Sequence, residues 1–194
     1  MNLISRRHFI TGLAGLTIAS LYSCLHRNPG ENIQKLPIME EPVMQLRPHH
    51  ILDILAEYGN GAEEYQPHPY GHSLHIVAPK IISGPDLRVR LVLGADDICT
   101  GCKHLLPDGR CDDVLGQLNP SPSKQAYNDV LDSRLFDLMS MEVNSIMTIR
   151  QFLETVNDHV PGIEMICTHP KENREERLNG LVNGLIILGI RNQA

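Results

Sequence analysis

Three cysteines set around an Asp-Gly turn constrain this chain more than any other feature. Cys99-Thr100-Gly101-Cys102 is followed by Cys111, with Asp108-Gly109 between them. A C-x-x-C loop lets two thiolates face one ion, because the intervening backbone turns back on itself, and Gly101 permits the curvature. Asp108-Gly109 predicts a second turn, which returns Cys111 to the same point. Cys167 is the other cysteine beyond residue 24. Four thiolates complete a tetrahedral zinc site or hold an iron–sulfur cluster, and the spacing does not choose between them. Two disulfides are the competing use of four cysteines in an exported chain. A redox-active C-x-x-C is a third, but no β-α-β pattern of thioredoxin type surrounds the pair.

Export is predicted by the first 24 residues. Ser5-Arg6-Arg7-His8-Phe9-Ile10 matches the twin-arginine pattern, and the apolar run Phe9 to Leu21 that follows is too short to span a bilayer comfortably. Leu21-Tyr22-Ser23-Cys24 resembles a lipobox, which would make Cys24 a lipidated N-terminus, although Tyr22 is bulkier than the usual residue there. Ordinary cleavage between Ser20 and Ser23, or an uncleaved anchor, are the alternatives. Residues 25–42 are polar, broken by Pro and without periodicity, and read as a flexible tether. The implied partners are the twin-arginine translocation machinery, the membrane through a lipid on Cys24, and a redox partner protein. The implied place is periplasmic, or membrane-associated outside the cytoplasm. This route carries folded proteins with cofactors inserted, which favours bound metal over disulfides.

Charge narrows the ligand class. The signal holds Arg6 and Arg7 and no acid, leaving 15 basic against 23 acidic residues from Leu25 onward. That balance lacks the basic footprint a nucleic-acid binder needs.

Residues 43–194 predict one small, mainly helical α+β domain with a short strand and a cysteine-rich loop. With no Trp and three Phe, its core must rest on aliphatic residues. Pro48 suits a first helical turn, with Ile51, Leu52 and Leu55 on the buried face and Gly59-Asn60-Gly61 as the stop. Ser73 predicts the cap of a second helix burying Leu74, Val77 and Ile81, with strand as the competing reading. Residues 87–93 alternate as a half-buried strand. Ser123 opens a helix with a stripe of Ala126, Val130, Leu131, Leu135 and Leu138. Thr148 and Gln151 form a capping box. The last helix, from Glu172 to about Leu188, carries Gly180 and Gly184 four apart, a spacing that signals close helix packing inside a core.

Histidine is the second chemical theme, with ten residues. His49 and His50 are neighbours, so on a helix they diverge by about 100° and do not easily share one ion. His49 and Asp53, four apart, share a face and predict a metal-ligand pair or a base with its orienting acid. A capping or core histidine is the plainer reading. Asp96 and Asp97 are either acceptors behind the ligands or turn residues. His68, His72, His75 and His104 read as solvated surface, whereas His169 stands two residues from Cys167.

Leu46-Arg47-Pro48-His49-His50-Ile51-Leu52, followed by Asp96-Asp97-Ile98-Cys99-Thr100-Gly101-Cys102, resembles an uncharacterised prokaryotic family, domain of unknown function 1284. The resemblance runs from about Leu46 to Cys167. It implies a metal or iron–sulfur site and no assigned reaction. Asp53 stands where the family pattern has a cysteine, and Cys167 stands alone where relatives carry further cysteines. A carboxylate is a harder ligand than a thiolate and favours zinc or mononuclear iron over a cluster. The expected ligand set is therefore Cys99, Cys102, Cys111 and Cys167, with His49 and Asp53 nearby. Three roles follow: an electron carrier or accessory redox protein, a structural zinc module, or a metal-dependent hydrolase, for which no nucleophile motif is present.

Overall fold

A computed structural model describes residues 43–193. The expected signal with Arg6 and Arg7, Cys24 and the tether lie outside them. The architecture is a small, mainly helical α+β domain, as the residue pattern predicts. Strands β1 (Met44–Leu46), β2 (Arg88–Leu91) and β3 (Ile146–Thr148) form one sheet in that order. β1 runs parallel to β2, with Leu46 opposite Leu91, and β3 runs antiparallel, with Thr148 opposite Arg88. Alternation predicts β2 alone. The other two strands have three residues each, too few for a period of two to stand out.

Helix α1 (Pro48–Gly59) begins on its proline, whose missing N–H has no partner to lose in a first turn. Its buried face carries Ile51, Leu52, Ile54 and Leu55. That face meets α5 (Arg174–Ile187) at backbone range. A Cβ on Gly180 would overlap the Ala56 carbonyl, and one on Gly184 would lie 2.6 Å from the Leu55 carbonyl oxygen. The expected glycine-mediated packing is thus real, and the pair belongs to the core. Among the described residues no helix is long and apolar enough to cross a membrane.

Helix α2 (Leu74–Ser83) settles the helix-or-strand alternative, burying Val77, Ala78 and Ile81. Helix α3 (Lys124–Leu138) is capped by Ser123, whose Oγ accepts from Ala126 N–H at 3.3 Å. Two of the five residues of its expected stripe are buried, and Ala126 and Leu138 are exposed. Leu131 and Leu135 are buried, but Val130 is 49% exposed, and Asp132 and Phe136 are buried in its stead. Helix α4 (Ile149–Asp158) opens on the predicted capping box: Gln151 N–H donates to Thr148 Oγ1 at 3.2 Å, and Thr148 N–H to Gln151 Oε1 at 2.9 Å. Leu46, Leu91, Ile51, Phe152 and Leu181 are all sealed from solvent, in a largely aliphatic core that also takes in Phe136.

Candidate metal centre

The connection from β2 to α3 carries three of the cysteines. Asp96 starts it by capping a short 3-10 turn, Asp97–Cys99, with Oδ1 accepting from Ile98 N–H at 3.1 Å and Cys99 N–H at 3.3 Å. Gly101 then takes φ +80°, and its backbone passes so close to Gly71 that a Cβ would lie 2.8 Å from the Gly71 oxygen. Ser73 leaves its cap unused and donates its hydroxyl to Thr100 O at 2.8 Å, while Lys103 N–H donates to Tyr70 O. Two loops are thereby stitched together around Cys99 and Cys102. The Asp108-Gly109 turn closes as predicted, with Leu106 N–H donating to Arg110 O at 2.8 Å and Cys111 bridging back to Leu105. Gln125 of α3 holds Cys111 in place, its Oε1 accepting from Cys111 N–H at 3.2 Å.

Cys99, Cys102 and Cys111 line a single cavity of about 180 Å³. His50, His72 and His104 line it with them. His72 and His104 therefore do not lie where the sequence reading put them, on a purely solvated surface. The Nδ1 of His72 is buried without a hydrogen-bond partner among the described residues. Cys99, Cys102, Cys111 and Cys167 are all unbridged.

The two adjacent histidines separate cleanly. His50 Nδ1 lies 2.7 Å from Asp96 Oδ2, which also accepts from Arg47 N–H at 2.9 Å. Burial alone would lower the His50 pKa, but the Asp96 carboxylate outweighs it and raises it. Burial would likewise raise the pKa of Asp96, yet the His50 charge and hydrogen bond, with the Arg47 N–H, hold it down to about 2. His49 turns instead toward α3, where its Nδ1 lies 2.9 Å from both carboxylate oxygens of Asp132. Burial, and then the charge of His50, keep the His49 pKa low. The carboxylate accepts from Nδ1–H, the ring nitrogen that faces it.

The predicted His49–Asp53 pair does not form. Asp53 reaches α5, where Arg177 Nη2 donates to its Oδ1 at 2.7 Å. The two side chains share a helix face and line one cavity, but each is taken by a partner from elsewhere in the chain: Asp132 of α3 holds His49, and Arg177 of α5 holds Asp53, which also lines the cysteine cavity. Cys167 is also apart from the other three cysteines. It lines a neighbouring cavity of about 330 Å³ with His49, His169 and Glu172, its Sγ 3.5 Å from Glu172 Oε2. His50 and Asp53 line both cavities. Burial, and Glu172 nearby, push the Cys167 thiol up. Burial and Asp96 push the Cys99 thiol up to about 12, so that a cation is needed before it ionises readily.

The donor chemistry in the cysteine cavity suits a thiophilic ion, but the side chains stand apart. Among the described residues no three His, Cys, Asp or Glu side chains converge on a point that would hold a metal ion. No protein-family model matches the chain, and neither does any curated protein or solved structure. The likeness to domain of unknown function 1284 rests on the two short motifs alone.

Proposed function

We propose that this is an exported metal-binding protein whose ion is held by Cys99, Cys102 and Cys111. The observation that carries the reading is that these three cysteines, drawn from a capped turn and a second Asp-Gly turn, line one cavity together with imidazoles. The backbone around them is pinned by Asp96, Gly101 and Gln125, and the thiols are unbridged. Ion binding on this reading is a side-chain closure on a fixed loop. Three thiolates with imidazole and carboxylate at hand favour zinc or mononuclear iron over a cluster, since Cys167 lies in the neighbouring cavity. The bound ion would supply a fixed positive charge that ionises the thiols and ties the loop to α1 and α3.

An iron–sulfur cluster, in an electron carrier or an accessory subunit of an exported redox complex, is the second reading. It is favoured by the twin-arginine pattern at Arg6 and Arg7, which suits a protein loaded before export. The membrane anchor on Cys24 belongs to the same proposal.

Metal and acid-labile sulfide analysis of anaerobically purified full-length protein tests both. About one zinc or iron per chain with no sulfide, lost in Cys102→Ser, is the expected result. Stoichiometric sulfide with visible absorption selects the cluster. Protein without metal, whose thiols are fully oxidised, overturns both. Mass spectrometry of the membrane fraction reads the N-terminus and any lipid on Cys24.

A further inference from the structure

We propose that Nε2 of His50 is the fourth ligand to the ion held by Cys99, Cys102 and Cys111, with Asp96 as the positioning residue that presents it. The inference rests on the metal-binding reading above and adds the identity of the ligand that completes the set. The ion that suits three thiolates and one imidazole is a single borderline cation such as zinc.

Three observations carry the assignment. His50 lines the same cavity as the three cysteines, and Cys167 does not. Its Nδ1 is held by Asp96 at 2.7 Å, which places the ring proton on Nδ1 and leaves the Nε2 lone pair as the donor, the arrangement found behind metal-bound histidines. The same Asp96 carboxylate accepts from Cys99 N–H through its other oxygen. One buried side chain therefore sets both the imidazole from α1 and the turn that carries the first thiol.

The other candidates are less well placed. His72 lines the cysteine cavity too, but its Nδ1 has no hydrogen-bond partner among the described residues, so no carboxylate or carbonyl sets its tautomer and ring as Asp96 does for His50. His49 is held by Asp132 and lines the neighbouring cavity only. His104 lines the cysteine cavity and bonds Asp112 through Nδ1, but that carboxylate is 49% exposed and both residues sit on the loop itself. Asp53 is already engaged by Arg177.

Zinc titration of the stripped full-length chain against a competing chelator tests the assignment. His50→Ala should weaken binding by more than the roughly 10–100-fold that loss of an outer partner costs, and Asp96→Asn by about that 10–100-fold. Asp53→Asn, His72→Ala, His104→Ala and Cys167→Ser should stay within about threefold of wild type, well short of that loss. His50→Cys guards against a folding defect. It should restore zinc binding and raise the thiolate-to-cobalt charge-transfer intensity of the cobalt form in proportion to four thiolates in place of three. Unchanged affinity in His50→Ala, or a loss confined to His72→Ala, His104→Ala, Asp53→Asn or Cys167→Ser, overturns the assignment and leaves metal binding intact. A wild-type chain that takes up neither zinc, iron nor cobalt overturns both.

Discussion

Arg47 and Asp132, 85 residues apart in the chain, form a buried ion pair in which the guanidinium Nε donates to the carboxylate at 2.6 Å. The same guanidinium donates to Asp129 Oδ1 at 2.6 Å and to Gly94 O at 2.8 Å. Asp132 in turn accepts from the backbone N–H of His49 at 2.9 Å. The residue that enters α1, the loop that leads to the cysteines and the middle of α3 are thus fixed to one another by one cation and two carboxylates.

Removing Asp132 should cost more than most core truncations. Asp132→Ala leaves the Nε–H of the buried guanidinium and the His49 N–H groups without acceptors, and breaking a buried pair in this way costs about 3–5 kcal/mol. Asp132→Asn keeps acceptors for part of the network and should cost roughly 1–3 kcal/mol. Urea unfolding of the metal-free protein measures both. Equal, small losses would mean that solvent already reaches the pair.

Asp132 also gives the fold an acid limit. Burial would raise its pKa, but the His49 hydrogen bond and charge and the Arg47 charge overcome that and lower it from the ordinary 3.8. A group depressed in the folded state contributes stability that is present above its unfolded value and is lost as the pH falls through the folded one. Stability should therefore drop as the pH goes below about 4, and the drop should be shallower in Asp132→Asn, which has no carboxylate to protonate. Parallel acid titrations that superimpose would count against this role.

How much of this was legible in the sequence depends on the range of each signal. The turns of the cysteine loop read correctly because the Asp-Gly pair and Gly101 are local signals, whereas the meeting of the thiols at one point is not a local property. The Thr148–Gln151 box and the Gly180–Gly184 packing are local for the same reason. Asp132 is illegible because a charged residue on a helix is assigned to solvent, and what stabilises it here is an arginine from the far side of the chain. The histidines mislead by one position. Spacing pairs His49 with Asp53, but α3 supplies the partner of His49, and α5 supplies that of Asp53. Cys167 is misplaced because only the tertiary path of the chain after α4 decides which cavity it enters. His50 gives its own signal, in retrospect, through Asp96: an acid that caps the cysteine turn and can also hold an imidazole.

The α1–α5 crossing should be intolerant of a single methyl group. In Gly180→Ala the added Cβ meets the Ala56 carbonyl and the Asn60 side chain, so the helices must separate. Overpacking of this kind costs about 1–3 kcal/mol and outweighs the roughly 1 kcal/mol that alanine gains over glycine in a helix. Gly116→Ala, where a Cβ meets nothing within 4 Å, is the control and should fall within about 0.5 kcal/mol of wild type. Denaturation midpoints of the two variants compare them directly, and equal stability would show that the helices can part at no cost.

Gln125 should matter to the metal more than to the fold. Its Oε1 accepts from Cys111 N–H at 3.2 Å, and its Nε2 donates to Asp129 at 2.8 Å, so the side chain hands the position of α3 to the third cysteine. Gln125→Leu removes both bonds and should cost about 1 kcal/mol of stability. Zinc affinity should fall further, by about 10–100-fold, as for other groups that hold a ligand without touching the ion. Gln125→Glu separates the two effects. It keeps an acceptor for Cys111 N–H but sets a second carboxylate against Asp129, so it should lose stability while retaining more of the affinity than Gln125→Leu does. Chelator competition beside thermal unfolding reads both quantities on the same samples. A Gln125→Leu protein that melts lower yet binds zinc as tightly as wild type would reduce Gln125 to a packing residue, with Cys111 positioned by its own turn.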